Sequence, residues 1–298
     1  MKTPFKLIAF LLLISSITLA QQTTEFTKLT GPYLGQTPPG KIAEPFAEKI
    51  IAAENTFHGS VVFSPDGNEA YWSVMDKMRI MHSKKINGVW TKPEIFIPSA
   101  DVPFISPDGK KLFFMEMKIE QGRKFEVPSA MDKTTTGWTK AYPLPDIINK
   151  IPIIHWQVSV DKKGNLFFGG KMSGTQSSRI YCAEYVSGAY DEPKMIPSLK
   201  DFEAFSPFIA PDGSYLIVTA FREELGLYIL FKKTDGSWTE GKNISENIGT
   251  SGELLCPIVT NDGKYLFFLK GVGDRTIPYW VDASFIEDLR KEVLKNDK

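Results

Sequence analysis

Two of the three histidines in the chain occupy the same position in a repeated sequence motif. Five copies of the motif each contain a turn glycine, and His58 lies nine residues before the first of them, Gly67. Counting back nine or ten residues from the other turn glycines gives Ala100 with Asp101 beside it, His155, Glu203 and Glu253. Imidazole and carboxylate groups act as general acids and bases and as metal ligands. If the copies pack around a common axis, these titratable side chains surround one end of it.

Such a ring of side chains is compatible with two kinds of site. The first is a divalent metal site, with nitrogen and oxygen ligands from His58, His155, Glu203 and Glu253. The second is an acid–base site, in which one carboxylate and one histidine act on a glycan or a peptide. A third interpretation is that the polar residues line a solvated channel and hydrogen-bond only water and loop backbone. We expect no cofactor apart from this metal.

Three further residues complete the predicted ligand site. Asp101 supplies a carboxylate in the copy that has neither histidine nor glutamate at the counted position. Trp156 follows His155 and offers an aromatic ring on which a sugar can stack. Arg222 lies in the loop after the second apolar run of its copy, where other copies carry Lys118, Lys171 and Lys270. The ligand-binding candidates are therefore His58, Asp101, His155, Trp156, Glu203, Arg222 and Glu253.

Composition and missing motifs narrow the function. The chain has 35 Lys and Arg against 35 Asp and Glu, whereas a protein dedicated to nucleic acid normally carries a basic excess. It contains no His-Glu-x-x-His, Cys-x-x-Cys, phosphate-binding loop or Gly-x-Ser-x-Gly string. The sequence thus favours a monomeric binding module for an envelope or extracellular protein, a peptide or a glycan. The alternative is a hydrolase or lyase acting on a glycan or peptide, with or without metal assistance.

The motif itself consists of an apolar run, a turn that contains glycine and a second apolar run. Its copies span residues 61–67, 103–109, 158–164, 207–213 and 257–263. In the first two copies the turn reads Ser-Pro-Asp-Gly, where proline fixes φ and glycine accepts the left-handed conformation that closes a hairpin. Successive turn glycines are 42, 55, 49 and 50 residues apart, a period typical of propeller blades.

A second marker predicts the outer part of each blade. A glycine followed within two residues by an aromatic residue recurs after the second apolar run, at Trp90, Trp138, Tyr190 and Trp238. Each blade is therefore predicted to have four antiparallel strands, so the fold class is all-β and the architecture a single five-bladed β-propeller. The fifth copy lacks the marker, and we predict that residues 43–50 supply its outer strand and close the ring. A six-bladed ring with a degenerate blade from residues 21–57 is the alternative.

The two ends of the chain differ from the repeats. Residues 1–20 have a basic start, an apolar run too short to span a bilayer and a small-residue end, and are predicted to be a cleaved signal peptide. Residues 21–42 are assigned to an N-terminal extended segment, residues 43–283 to the propeller, and residues 284–298 to a short C-terminal helix and tail. We therefore expect an exported protein, periplasmic or extracellular, without a membrane span.

The turn sequences resemble the WD40-like PD40 repeat, which occurs in the propeller of TolB-type periplasmic proteins and in other exported bacterial proteins. The resemblance covers nearly all of the mature chain and rests on Ser64-Pro65-Asp66-Gly67, Ser106-Pro107-Asp108-Gly109 and Pro211-Asp212-Gly213. The third copy departs from the pattern with Lys162-Lys163 in place of Pro-Asp, and the fifth has Asn261 in place of Pro. The resemblance implies a propeller scaffold and does not by itself assign a function.

Three other residues with reactive side chains are given no functional role. Cys182 and Cys256 fall on blades that are not neighbours, too far apart for a disulfide, and we predict two buried free thiols. His82 falls in the third strand of blade one, on a face predicted to be exposed or partly packed.

Overall fold

The structure, a computed structural model, describes residues 26–52, 56–75, 78–120 and 122–295. The predicted signal peptide, residues 1–20, lies outside the described residues. Five antiparallel blade sheets follow one another along the chain, and the inner strand of each contacts that of the next, including the last with the first. The chain thus forms a closed five-bladed β-propeller, as the sequence predicted, and the six-bladed alternative is wrong.

Each blade contains four antiparallel strands, given below from the axis outwards. Blade one comprises Phe57–Phe63, Glu69–Val74, Arg79–Ile86 and Glu94–Pro98, and blade two comprises Ala100–Ile105, Lys111–Glu120, Arg123–Thr134 and Tyr142–Pro143. Blade three comprises Ile153–Val160, Leu166–Lys171, Arg179–Ala183 and Lys194–Met195, and blade four comprises Glu203–Ile209, Tyr215–Phe221, Leu225–Phe231 and Lys242–Asn243. Blade five comprises Leu254–Val259, Tyr265–Val272, Arg275–Asp282 and, from the N-terminal side, Glu44–Pro45.

The propeller has two distinct ends. The turn face carries the glycine turns between the first and second strands, and the axial face is the opposite end, where the first strands begin. The aromatic marker residues were predicted to start the outer strands. Three of them lie instead in short hairpins next to the third strands, at Val89–Trp90, Gly137–Trp138 and Ala189–Tyr190.

The glycine turns form as the motif predicts. Gly67 and Gly109 have φ values of 67° and 71°, in the left-handed region that residues with a Cβ rarely adopt. In blade two the Asp108 carboxylate accepts hydrogen bonds from Ser106 Oγ at 2.6 Å and from Lys110 N–H at 3.0 Å. Burial acts to raise the pKa of Asp108, but these hydrogen bonds outweigh it and hold that pKa below its ordinary value.

The N-terminal segment closes the ring between blades five and one. Glu44–Pro45 pairs antiparallel with the third strand of blade five. Only these two residues of the predicted 43–50 strand are paired, because Glu48–Ala52 forms a π-helical turn. Phe46 follows the paired residues, is fully buried and packs edge-on against Trp280, with ring centroids 5.0 Å apart. The closure therefore combines a short strand with an aromatic anchor.

The C-terminal helix, Phe285–Lys295, packs against the third strand of blade four. Its buried residues are Ile286 and Leu289, and Lys242 on the outer strand of that blade forms a 2.8 Å ion pair with Glu292. The predicted short helix is therefore confirmed. Among the described residues, no helix has the length and apolar character needed to cross a membrane.

Both cysteines are free thiols on separate blades. Cys256 is buried, and burial raises the pKa of its thiol to about 12. Cys182 is only partly buried, which corrects the prediction that both are buried. His82 was expected on an exposed or partly packed face but is buried, stacked on Tyr71 with ring centroids 4.5 Å apart.

Candidate functional site

A β-bulge interrupts the inner strand of every blade near the axial face. In blades two to five one residue at the bulge has a left-handed φ, namely Val102 (44°), Trp156 (69°), Ser206 (48°) and Cys256 (52°). A positive φ is costly for any of these residue types and most of all for a β-branched valine. Bulges re-aim neighbouring side chains and are enriched beside binding sites. The same device in five inner strands therefore shapes one end of the axis.

In blade one a glycine, Gly59, lies between two register shifts of the inner strand, and the packing requires it. A Cβ on Gly59 would lie 2.6 Å from Ser73 Oγ and 2.8 Å from Val102 Cα, closer than real Cβ atoms approach their neighbours. Ser73 Oγ also accepts a hydrogen bond from Val102 N–H at 3.3 Å. The inner strands of blades one and two are therefore held unusually close at this level.

His58 and Asp101 meet across these two inner strands. His58 Nδ1 is hydrogen-bonded to Asp101 Oδ2. The other carboxylate oxygen of Asp101 accepts a hydrogen bond from Val102 N–H at 2.8 Å, so the bulge of blade two fixes its orientation. The side chain of Asp101 is 2% exposed and that of His58 is 20% exposed. An incoming ligand would therefore contact the imidazole, with the carboxylate behind it.

A third titratable residue, Glu126, joins this pair and was not predicted from the sequence. It lies on the third strand of blade two, whose hairpin with the second strand is the longest in the propeller. The backbone N–H of Trp156 donates a hydrogen bond to its carboxylate. The sequence does contain a sign of this longer hairpin. The second and third turn glycines are 55 residues apart, which is the longest of the four spacings.

Neighbouring charges change the proton affinities of His58 and Glu126. Burial acts to lower the pKa of His58, but the hydrogen bond and charge of Asp101 and the charge of Glu126 outweigh it, so that pKa lies above 6.5. Burial and the negative charge of Asp101 raise the pKa of Glu126 above 4.5. A cationic group placed here would relieve the repulsion between the carboxylates. The electrostatics therefore favour a ligand with a positive charge or hydrogen-bond donors.

Aromatic rings extend the site across the axial face. The Trp156 ring lies 5.1 Å from the imidazole of His58 with the planes inclined by 35°, and 4.9 Å from the ring of Phe205. Both Trp156 and Phe205 are partly exposed. Trp156 was predicted from the sequence as a site residue, whereas Phe205 was not. These rings, contributed by blades one, three and four, form a surface on which an apolar or planar ligand group can stack.

An apolar rim surrounds this centre. Every blade exposes a large apolar side chain where its second strand ends or its third begins, on the axial face. These side chains are between 38% and 65% exposed, and they are Met75, Ile119, Phe125, Met172, Phe221 and Val272. We refer to these six residues as the apolar rim. These residues were not predicted from the sequence, because the second strands are apolar on both faces and the pattern does not show which apolar residues stay exposed.

The axis is closed beneath the polar centre. The buried amide of Gln157 donates hydrogen bonds to Pro207 O at 3.2 Å and Pro257 O at 2.9 Å, linking blades three, four and five. A space of about 30 Å³ lies towards the turn face, lined mainly by apolar side chains such as Phe104 and Phe208. Gln157 therefore marks the inner end of the polar residues near the axis, and the interpretation that these residues line a solvated channel stays a prediction.

The remaining predicted site residues are not joined to this centre. Glu203 and Glu253 are exposed; Glu203 pairs with Phe221 within its own blade, and the Glu253 side chain lies beside Gly271 in its own blade. Arg222 packs over the ring of Phe202, 5.2 Å from its centroid. Among the described residues, no hydrogen bond or ion pair joins Glu203 or Glu253 to His58.

One of the four predicted metal ligands is a residue whose side chain the structure does not describe. His155 lies in the inner strand of blade three, and its side chain is not among the described ones. Within the described part of the chain, no three His, Cys, Asp or Glu side chains are grouped closely enough to hold a metal ion.

The His58–Asp101 pair makes stability depend on pH. Because the folded-state pKa of His58 lies above 6.5, its contribution is fully present below pH 6.5 and is lost as the pH rises through the folded pKa. We expect the difference in unfolding free energy between wild type and His58→Gln to be larger at about pH 5.5 than at about pH 9. Urea unfolding at both pH values measures it. An equal difference at both would contradict the assignment.

His82 provides an internal control of opposite sign. Burial lowers the pKa of His82 to about 4, so its contribution is present above pH 6.5 and is lost as the pH falls towards 4. The difference between wild type and His82→Gln should therefore shrink on acidification, whereas the His58 difference should grow.

The fold and the site together define a five-bladed β-propeller with a His–Asp–Glu centre on one face. Solved structures share the fold at low identity. TolB from Acinetobacter baumannii is 14% identical with a TM-score of 0.50, over 76% of this chain and 54% of that chain. The putative TolB from Agrobacterium tumefaciens is 17% identical with a TM-score of 0.51, over 76% and 77%. A gluconolactonase from Xanthomonas campestris is 10% identical with a TM-score of 0.51, over 85% and 96%.

These similarities support the resemblance to the TolB-type propeller and include a gluconolactonase. At such identities they show the fold alone. This chain spans about half the length of the Acinetobacter baumannii TolB chain (54%). No protein-family model and no curated protein sequence matches the chain.

Proposed function

We propose that this protein is an exported binding module that takes a segment of an envelope or extracellular protein on its axial face. The observation that carries the proposal is the apolar rim, because all five blades contribute to it on the face that also holds the His58–Asp101–Glu126 centre. Soluble monomers rarely expose extended apolar surface without an interaction to support. The resemblance to TolB-type propellers fits a role as an interaction protein.

The arrangement is that of an interface with a defined centre. Large aromatic and aliphatic side chains supply most of the binding energy at protein interfaces when they become desolvated. Trp156 and Phe205 provide partly exposed aromatic surface at the middle, and the apolar rim provides contacts around it. The carboxylates of Asp101 and Glu126 favour a partner segment that presents a lysine, an arginine or a free amino group.

The proposal is tested by placing charges in the apolar rim. We expect the double variant Ile119→Asp, Phe221→Asp to lose capture of the partner from an envelope extract, because two carboxylates would be desolvated on binding. Ile86 and Ile95 are 53% and 54% exposed in blade one but lie outside the axial face. The matched control is Ile86→Asp, Ile95→Asp, which should capture the same partner as wild type. Capture and cross-linking with mass spectrometry read out both variants.

Two results would argue against a binding module of this kind. One is equal capture by the rim variant and its control, which would place the interaction elsewhere. The other is that every protein captured by the wild type is also captured by the rim variant. Circular dichroism of each variant checks that it is folded, so a loss of capture reports on the surface.

A second candidate function is a hydrolase or lyase acting on a glycan or a peptide at the same centre. The observation in its favour is the pairing of His58 with Asp101, since a carboxylate-oriented imidazole can serve as a general base. The raised pKa of Glu126 suits a general acid. Turnover of a glycan or peptide panel that disappears in both His58→Ala and Glu126→Gln would establish the enzyme. Turnover that persists in both variants would reject it.

A further inference from the structure

An open cleft of about 820 Å³ lies on the turn face between blades two and three, on the opposite end from the site described above. Its floor is apolar, with Phe113, Leu144 and Val160. Tyr142 and Tyr190 line its walls, and exposed lysines stand at its rim. A cleft of this size accommodates a short peptide segment or a ligand of similar volume.

The equivalent gap between blades five and one is filled by a segment of the chain itself. Tyr33 enters that gap, with its ring centroid 5.1 Å from that of Phe63 and 5.2 Å from that of Tyr265. The segment is held by its backbone, because Trp90 donates from N–H to Leu29 O and from Nε1 to Gly31 O, both at 2.9 Å. Burial, together with the charge of Asp262, raises the pKa of Tyr33 to about 12.

The two gaps are built from corresponding positions of the repeat. Val160, four residues before its turn glycine, corresponds to Phe63 in blade one, and Lys111, two residues after its glycine, corresponds to Tyr265 in blade five. Ala189–Tyr190 corresponds to Val89–Trp90, the hairpin that binds the N-terminal segment. The cleft therefore keeps the frame that receives Tyr33 but has a smaller side chain on its floor.

Other gaps on the turn face are occupied by the chain. Between blades one and two, the indole of Trp138 donates a hydrogen bond to Tyr71 Oη at 3.2 Å. Between blades three and four, Trp238 packs edge-on against Phe167, with centroids 6.4 Å apart. Tyr190 holds the marker position at the cleft, where blades one, two and four have tryptophan. Among the four gaps at which a marker residue stands, the cleft is the one whose marker residue is not a tryptophan.

We propose that this cleft binds an extended segment of a partner protein that inserts an aromatic side chain, as the chain's own Tyr33 does in the corresponding gap. A polar network on the wall would pair with a phenol hydroxyl: Lys111 Nζ donates to Tyr142 Oη at 2.5 Å, and that hydroxyl donates to Asp132 at 2.7 Å. The exposed lysines of the rim favour acidic residues beside the aromatic one, and they are Lys110, Lys162 and Lys163.

The probe is a synthetic peptide with the sequence of residues 28–36, in which Lys28 and Gln36 are replaced by aspartate. The control peptide has alanine in place of the tyrosine that corresponds to Tyr33. Binding to the mature protein is measured by calorimetry and by fluorescence polarisation of a labelled peptide. We expect the tyrosine peptide to bind with a Kd below about 1 mM and the alanine peptide to bind at least about tenfold more weakly.

Two protein variants locate the binding. Ala189→Trp places a large ring in the cleft at an exposed lining residue, and should abolish binding while leaving the gap between blades five and one unchanged. Lys162→Glu, Lys163→Glu changes only exposed residues and should weaken binding by about tenfold, with a shallower salt dependence. The matched control for this charge change is Lys49→Glu, Lys92→Glu, on exposed residues outside the cleft.

The proposal is overturned if the tyrosine peptide fails to bind wild type, if the alanine peptide binds equally well, or if neither cleft variant weakens binding. Should Ala189→Trp unfold, the lysine variant alone decides the outcome. His58→Ala should leave peptide binding unchanged, so failure here and failure of the axial interaction are distinguishable.

Discussion

Replacing Phe46 with alanine is expected to lower the free energy of unfolding by about 3–5 kcal/mol, the range for large aromatic deletions in a core. Phe46 is fully buried, and its ring centroid lies 5.0 Å from those of Phe267 and Trp280 and 6.1 Å from that of Phe63. Its N–H also donates to Pro278 O at 2.8 Å, directly after the closing strand. Equilibrium unfolding in urea, followed by tryptophan fluorescence, measures the change.

The effect should exceed that of a similar aromatic deletion elsewhere. Phe96 lies in the outer strand of blade one, is partly buried and packs edge-on against Tyr71 at 5.2 Å. Phe96→Ala removes the same atoms without touching the closure, and we expect a clearly smaller loss of stability. Equal losses for both variants would mean that Phe46 is an ordinary core residue and that ring closure does not depend on it.

The overall architecture was readable from the sequence because it follows from local chemistry that recurs. A glycine such as Gly109 is needed wherever the turn demands a positive φ, so the turn marks each blade at a regular spacing. The count of five turns against four outer markers also indicated that an N-terminal segment completes the last blade. The length of that strand was not predictable, because the π-helical turn Glu48–Ala52 depends on packing against blade five.

The candidate site was predicted only in part, and the limits are physical. His58 and Asp101 were both identified from equivalent positions in the repeat, and they do meet. Glu203 and Glu253 hold equivalent positions as well, yet equivalence fixes only the height of a residue and not the direction of its side chain. The bulges decide that direction, and a left-handed residue such as Val102 has no signature in an apolar run.

Functional features that are not shared by all copies of the repeat could not be predicted, for a different reason. Glu126 lies in an extension of the hairpin of blade two that has no counterpart in the other blades, so a comparison of copies cannot find it. The cleft between blades two and three arises from a difference between copies, with Val160 where blade one has Phe63. Departures from a repeat thus mark the places where one blade differs from its neighbours, and these carry much of the functional information.

Replacing Gln157 with leucine is expected to lower the free energy of unfolding by about 2–4 kcal/mol, because two buried carbonyl groups lose a donor. Gln157, in blade three, is 1% exposed. Its side-chain amide donates hydrogen bonds to Pro207 O in blade four and Pro257 O in blade five. Leucine has nearly the same volume, so the change isolates the hydrogen bonds from a cavity. Unfolding in urea gives the loss, and a loss below about 0.5 kcal/mol would mean that the carbonyls find other donors.

The variant Gln157→Glu keeps the shape of the side chain and changes only its ability to donate hydrogen bonds and its charge. A protonated glutamate can donate one hydrogen bond to a carbonyl, whereas the ionised form is a buried charge facing two carbonyl oxygens. Burial without a positive partner raises the folded-state pKa of such a group, so its stability is retained at low pH and lost as the pH rises through that value. Measured against wild type at each pH, the destabilisation by Gln157→Glu should therefore grow from about pH 5 to about pH 8 and exceed that of Gln157→Leu at the upper end. A destabilisation that does not change with pH would show that water reaches this position and that the axis is not sealed there.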